Sequence, residues 1–156
     1  MAKLFVLATV LWPAALGAAV WARATHQPSA AAGVIYLAGS RVCHQRPERS
    51  FETAGVPWPV CGRCTGLYLA APFGAMLGLR RRDANRSGRR LRMGLVLAAI
   101  PTVVTLALEA IAPALVNNAI RATAALPLGV MVAAALGQVV AGTVRPTDDP
   151  SDKLTP

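Results

Sequence analysis

Two short stretches of this chain carry the residues that bind metals or exchange disulfides: Cys43-His44, and Cys61-Gly62-Arg63-Cys64. Between them they hold all three cysteines and one of the two histidines. A Cys-x-x-Cys pair lets two thiolates grip one ion or lets two thiols trade a disulfide, and the same spacing serves both. Three cysteines and a histidine complete a tetrahedral zinc set, so Cys43, His44, Cys61 and Cys64 are candidate ligands for zinc or another transition metal. Neighbouring side chains tend to point apart, so Cys43 and His44 can share an ion only across a bent backbone. His26, Gln45 or water are the alternatives for the fourth position. The redox reading makes Cys61 and Cys64 a thiol-disulfide oxidoreductase pair with Cys43 as partner thiol and Arg63 favouring a thiolate. The plainest reading is one disulfide stapling a loop, with the odd cysteine left buried.

A charged fringe surrounds these residues: Arg46, Glu48, Arg49, Ser50 and Arg63. Arginines at a membrane surface commonly face phosphate, which makes an anionic lipid head group a candidate partner. The alternative is solvated loop charge, with Glu48 paired to Arg49 or Arg63. A second polar group, Glu109 with Asn117, Asn118 and Arg121, falls inside otherwise apolar sequence, where an ionisable side chain is costly unless paired. Glu109 and Arg121 are expected to pair, either as a plain ion pair closing a helix hairpin or as one wall of a site.

The elements that must position these groups are apolar. The chain is 54% hydrophobic and 15% charged, with a mean hydropathy of +0.47, too apolar for an ordinary soluble domain. Residues 4–22 form a first run of about 28 Å at 1.5 Å per residue, enough for a hydrocarbon core of about 30 Å. A cleaved signal peptide over residues 1–24 competes with a retained helix there. Further spans are expected at 62–79, 91–112 and 118–142. Residues 25–61 make a Cys/His loop, in which 30–42 is too short to cross and reads as an interfacial or re-entrant helix. The prolines and glycine of residues 47–60 predict a constrained loop with no element of its own. Small residues recur every fourth position at Gly66, Ala70, Gly74 and Gly78, and again at Gly129, Ala133, Gly137 and Ala141; each stripe lets another helix approach closely, and two of them argue for one compact bundle. The expected architecture is an all-α membrane bundle of four transmembrane helices in one domain, residues 1–142, followed by a disordered tail at 143–156.

Charge sets the expected orientation. Seven arginines crowd residues 80–92, with Asp83 the only acid among them. Without an aromatic platform or a base-reading motif they argue for a cytoplasmic loop rather than nucleic-acid binding. With both termini inside, ten Lys and Arg lie on the cytoplasmic side against five outside. The expectation is therefore a multi-pass plasma-membrane protein with both termini cytoplasmic and the Cys/His loop on the outer side. Cys64, Thr65 and Tyr68 then start the second span at the depth of Glu109, Asn118 and Arg121.

The pattern Cys43-His44-Gln45, Pro47-Glu48-Arg49-Ser50-Phe51, Gly55, Cys61-x-Arg63-Cys64-Thr65-Gly66-x-Tyr68 resembles the signature of a family of small bacterial and archaeal membrane proteins known as domain of unknown function 2085. Glu109, Asn118, Arg121 and Gly129 resemble its second, weaker motif. The resemblance implies a membrane bundle and singles out these residues, with Gln45, Arg49, Ser50 and Tyr68 as polar support. It implies no established activity.

Overall fold

In this computed structural model, residues 1–27, 29–80 and 88–142 are described. The expected tail at 143–156 and much of the arginine loop, including Arg81, Arg82 and Arg86, lie outside them. Among the described residues five α-helices follow in order: α1 (Ala2–Ala24), α2 (Ala30–Val42), α3 (Gly62–Arg80), α4 (Gly88–Ile111) and α5 (Asn118–Val140). Three of them, α1, α4 and α5, are long and apolar enough to cross a membrane. Two helix starts have side-chain caps. The Ser29 hydroxyl accepts from the Ala32 N–H at 3.1 Å, and the Asn117 carbonyl oxygen accepts from the Ile120 N–H at 2.9 Å.

The small-residue stripes bring α3 and α5 into the most extensive contact in the molecule. A side chain at Gly66 would fall on the Ala122 carbonyl oxygen, and one at Gly129 on that of Leu67. Gly62 faces Asn118, Gly66 faces Ala122, Gly74 faces Val130 and Gly78 faces Ala134, a single register throughout, so the two helices run parallel. Close backbone approach of this kind substitutes dispersion contact for the hydrophobic driving force that lipid cannot supply. Helix α4 packs on α5, where the Thr102 hydroxyl donates to the Ala124 carbonyl at 2.9 Å.

The connector between α2 and α3 departs from the all-α expectation. Residues 47–60 contain a 3-10 turn (Pro47–Arg49) and an antiparallel hairpin of β1 (Ser50–Thr53) and β2 (Val56–Cys61). Its two-residue connection places Ala54 at φ 49° and Gly55 at φ 77°, the paired positive values of a type I′ turn. Pro57 and Pro59 do not break the strand because a two-stranded sheet has a free edge on each strand, where a missing N–H costs no ladder bond. The hairpin is held against α2 from two sides. Tyr36 donates its hydroxyl to the Pro57 carbonyl at 2.8 Å, and the Gln45 amide donates to the carbonyls of Tyr36 at 2.7 Å and Pro59 at 2.8 Å.

Aromatic and cation contacts fix the depth of this assembly along α1. The Arg23 guanidinium sits 4.1 Å from the Tyr36 ring centroid, Leu16 packs with Cys43 and Val60, and Trp12 meets Tyr68 edge-on at 6.0 Å. Helix α2 therefore descends beside α1 and α3 descends from its end. The cysteines lie level with Leu16, roughly 12 Å along α1 from Ala24 at 1.5 Å per residue.

Candidate metal centre

Each cysteine is delivered by a different element. Cys43 caps the C-terminus of α2, Cys61 ends β2 and Cys64 lies in the first turn of α3. Their three sulfurs fall within 4.8 Å of one another. A tetrahedral ion with bonds of about 2.3 Å sets sulfurs about 3.8 Å apart, so small side-chain rotations bring these three onto one ion. Cys43 is buried, and its sulfur accepts the Cys61 N–H at 3.2 Å. Such a bond stabilises a thiolate or a metal-bound sulfur. The hydrogen bond from Cys64 is the main influence that lowers the pKa of the Cys61 thiol to about 5, against the opposing effect of burial.

His44 is not a member of the three-sulfur group, but lines the same cavity of about 330 Å³ beside Cys43, Cys61 and Cys64. His26 is exposed past the end of α1 and is not among the residues lining that cavity. The Gln45 amide nitrogen is occupied by two backbone carbonyls, and a φ of 47° turns its backbone between α2 and the 3-10 turn. Gln45 thus sets the spacing between Cys43 and the strand that carries Cys61.

The opposite wall is an ion-pair network centred on Glu109, 8% exposed. Arg63 donates from Nη2 to its Oε2 at 2.6 Å, Arg121 from Nη2 to its Oε1 at 2.9 Å, and Arg49 reaches Oε1 through Nε at 3.1 Å. The expected pairing of Glu109 with Arg121 is present. Arg49 and Arg63 also turn to Glu109, and neither pairs with Glu48 among the described residues. Arg121 donates a further bond from Nη1 to the Asn118 Oδ1 at 2.6 Å, and Asn118 donates its amide to the Ser50 carbonyl at 2.6 Å. Ser50 in turn donates its hydroxyl to the Arg46 carbonyl at 3.0 Å. The chain of bonds ties the start of α5 to the hairpin. Tyr68 sits below the cysteines, packed against their cluster and against Trp12.

Sequence reasoning set Arg46 in the charged fringe and missed that it lines one cavity with Arg49, Arg63 and Arg121. Its position two residues after His44 was the available signal. It also missed Trp12, whose partner lies on another helix and leaves no mark in local spacing.

Fold and site define a small helical membrane protein with a cysteine cluster and a buried ion-pair network at one end of its bundle. The chain belongs to the family described as predicted membrane protein (DUF2085), whose model matches residues 43–135 and so takes in every residue of the site. An uncharacterized protein of Methanothermobacter thermautotrophicus is 34% identical over 92 residues, covering 59% of this chain and 81% of its own length. An uncharacterized protein of Methanocaldococcus jannaschii is 40% identical over 43 residues, 28% of each chain. No solved structure matches.

Proposed function

We propose that this protein is a four-span membrane protein that binds a zinc-like transition-metal ion through Cys43, Cys61 and Cys64 on the extracytoplasmic side. The observation that carries the reading is the meeting of three sulfurs from three elements within 4.8 Å. A disulfide uses two sulfurs and gives no reason to assemble a third. His44, on the cavity wall, is the protein's own candidate for the fourth position.

The parallel run of α3 beside α5 supports α3 as the fourth span, since a helix in contact along the length of a spanning one crosses with it. With α1 also crossing, two parallel spans joined through α4 favour both termini on one side of the membrane. Lys3, Arg80, Arg89, Arg90 and Arg92 lie at the end of the bundle away from the cysteines, which favours that side as cytoplasmic. Helix α2 then re-enters from the outer face to set the cysteines below the surface.

Dithiol chemistry at Cys61 and Cys64 is a second reading, favoured by the low pKa of Cys61. Titration of the reduced, detergent-purified protein with cobalt(II) separates the two. A metal centre predicts saturable thiolate-to-metal charge-transfer absorption at about one ion per chain, abolished by Cys43→Ser as fully as by Cys61→Ser. A redox dithiol predicts no saturable three-thiolate absorption, or cobalt binding through Cys61 and Cys64 alone that survives Cys43→Ser, and either outcome contradicts the metal reading.

A further inference from the structure

The arginines of this site outnumber what Glu109 can neutralise. Arg46, Arg49, Arg63 and Arg121 line one cavity, and Arg46 forms no ion pair among the described residues. Four guanidiniums against one carboxylate leave three positive charges. A divalent ion on three thiolates would carry one net negative charge and leave two. Arg46 is exposed and Arg49 partly so, which leaves their charge to solvent, but Arg63 and Arg121 are largely buried, and desolvated surplus charge is expensive unless something opposes it. Both Arg63 and Arg121 also keep a buried Nε–H with no acceptor among the described residues. Arg121 is 7% exposed, so water does not readily stand in for that acceptor. Glu109 meanwhile binds three guanidiniums at once and fixes where they point.

A pre-oriented arginine cluster with spare donors is the chemistry that recognises phosphoryl oxygens, through forked, charge-assisted hydrogen bonds. The cavity of about 330 Å³ lies at the small end of the ~300–1,000 Å³ typical of small-molecule sites, roomy enough for more than a bare phosphate. We infer that this cavity binds a phosphate monoester, its phosphoryl group held by Arg46, Arg49, Arg63 and Arg121 beside the cysteine cluster. The group is supplied either by a lipid head group entering from the bilayer or by a soluble phosphate. The inference shares its cavity with the proposed metal centre and rests on the arginines alone.

The test uses the full chain in phosphatidylcholine nanodiscs, with and without chelator treatment. Radiolabelled inorganic phosphate is followed by equilibrium dialysis, and doped phosphatidic acid by native mass spectrometry. Saturable binding of either probe is expected, inorganic phosphate marking a soluble source and phosphatidic acid alone a lipid one. Arg46→Gln and Arg49→Gln should each weaken it about 10-fold or more, the loss of one charge-assisted contact. Arg46→Gln breaks no ion pair, so an unchanged melting temperature certifies its fold. Retention of neither probe by the wild type, or undiminished retention by both variants, overturns the inference. Metal content of the same samples is read separately: phosphate binding without metal defeats only the metal reading, and metal without phosphate binding defeats only this one.

Discussion

Arg63 and Glu109 stand 46 positions apart in sequence and meet at 2.6 Å, joining the Cys-x-x-Cys turn directly to the last turns of α4. Arg63 lies between Cys61 and Cys64, so this ion pair fixes the orientation of the first turn of α3, and with it the cysteine cluster. The network on one wall of the cavity is therefore part of what holds the other wall in place.

Replacing Glu109 leaves three guanidiniums facing one another without a counter-charge. Breaking a buried ion pair from one side costs about 3–5 kcal/mol, and Glu109→Gln should show a loss of that order in denaturant or thermal unfolding in detergent. Removing a positive charge as well, in Glu109→Gln with Arg121→Met, should recover part of it. A Glu109→Gln protein as stable as the wild type would show that the network contributes nothing.

Gly66→Ala and Gly33→Ala make a matched pair. At Gly66 a methyl group collides with the Ala122 backbone, whereas at Gly33 nothing lies within 4 Å. Gly33→Ala should be neutral or stabilising by about 0.5–1 kcal/mol, as for a glycine inside a helix. Gly66→Ala should separate α3 from α5 and lower the melting temperature clearly. Equal effects would contradict the close helix pairing.

Gln45→Ala removes the donor shared by the Tyr36 and Pro59 carbonyls. Leaving such acceptors unpaired costs about 1–3 kcal/mol per buried group. The more specific consequence is positional: Cys43 loses its fixed spacing from Cys61, so cobalt affinity should fall, and Gln45→Glu, which keeps the side chain's size but sets a carboxylate with no donor against the same two carbonyls, should lower it at least as much; unchanged cobalt affinity in both variants would contradict this role.

In the metal-free protein Cys61 should alkylate as a thiolate well below neutral pH. Its thiol is held at about 5 chiefly by the Cys64 hydrogen bond, beneath the ordinary cysteine value of about 8.5. A depressed pKa stabilises the folded state above the unfolded value, and that contribution disappears as pH falls through about 5. Iodoacetamide modification, followed by peptide mapping, should change little between about pH 6 and pH 8 and decline towards pH 4. Cys64→Ala should move the midpoint upward, and a wild-type midpoint near 8.5 would refute the assignment.

How far these features could be read from the sequence depends on whether a local signal carried them. The apolar runs marked helices α1, α3, α4 and α5 to within a few residues, because a hydrocarbon solvent selects on composition itself. The every-fourth-residue glycines and alanines predicted close helix approach in one bundle, but not that the two stripes would face each other, as α3 and α5 do. The hairpin was not legible, since Pro57 and Pro59 argue against a strand unless the edge their nitrogens face is known to be free. Helix order showed that Glu109 and Arg121 would share a depth with the cysteines. It could not show that Arg49, on the 3-10 turn, and Arg63, in the first turn of α3, would both choose Glu109 over the nearby Glu48, a long-range pairing that leaves no local signal.

The most direct test is the metal content of protein purified from its membrane without chelators. The three-cysteine centre predicts about one transition-metal ion per chain by elemental analysis, falling below a few tenths in Cys43→Ser, Cys61→Ser and Cys64→Ser alike. A wild-type protein carrying less than a few tenths of an ion, or a Cys43→Ser protein that keeps its full complement, would contradict it.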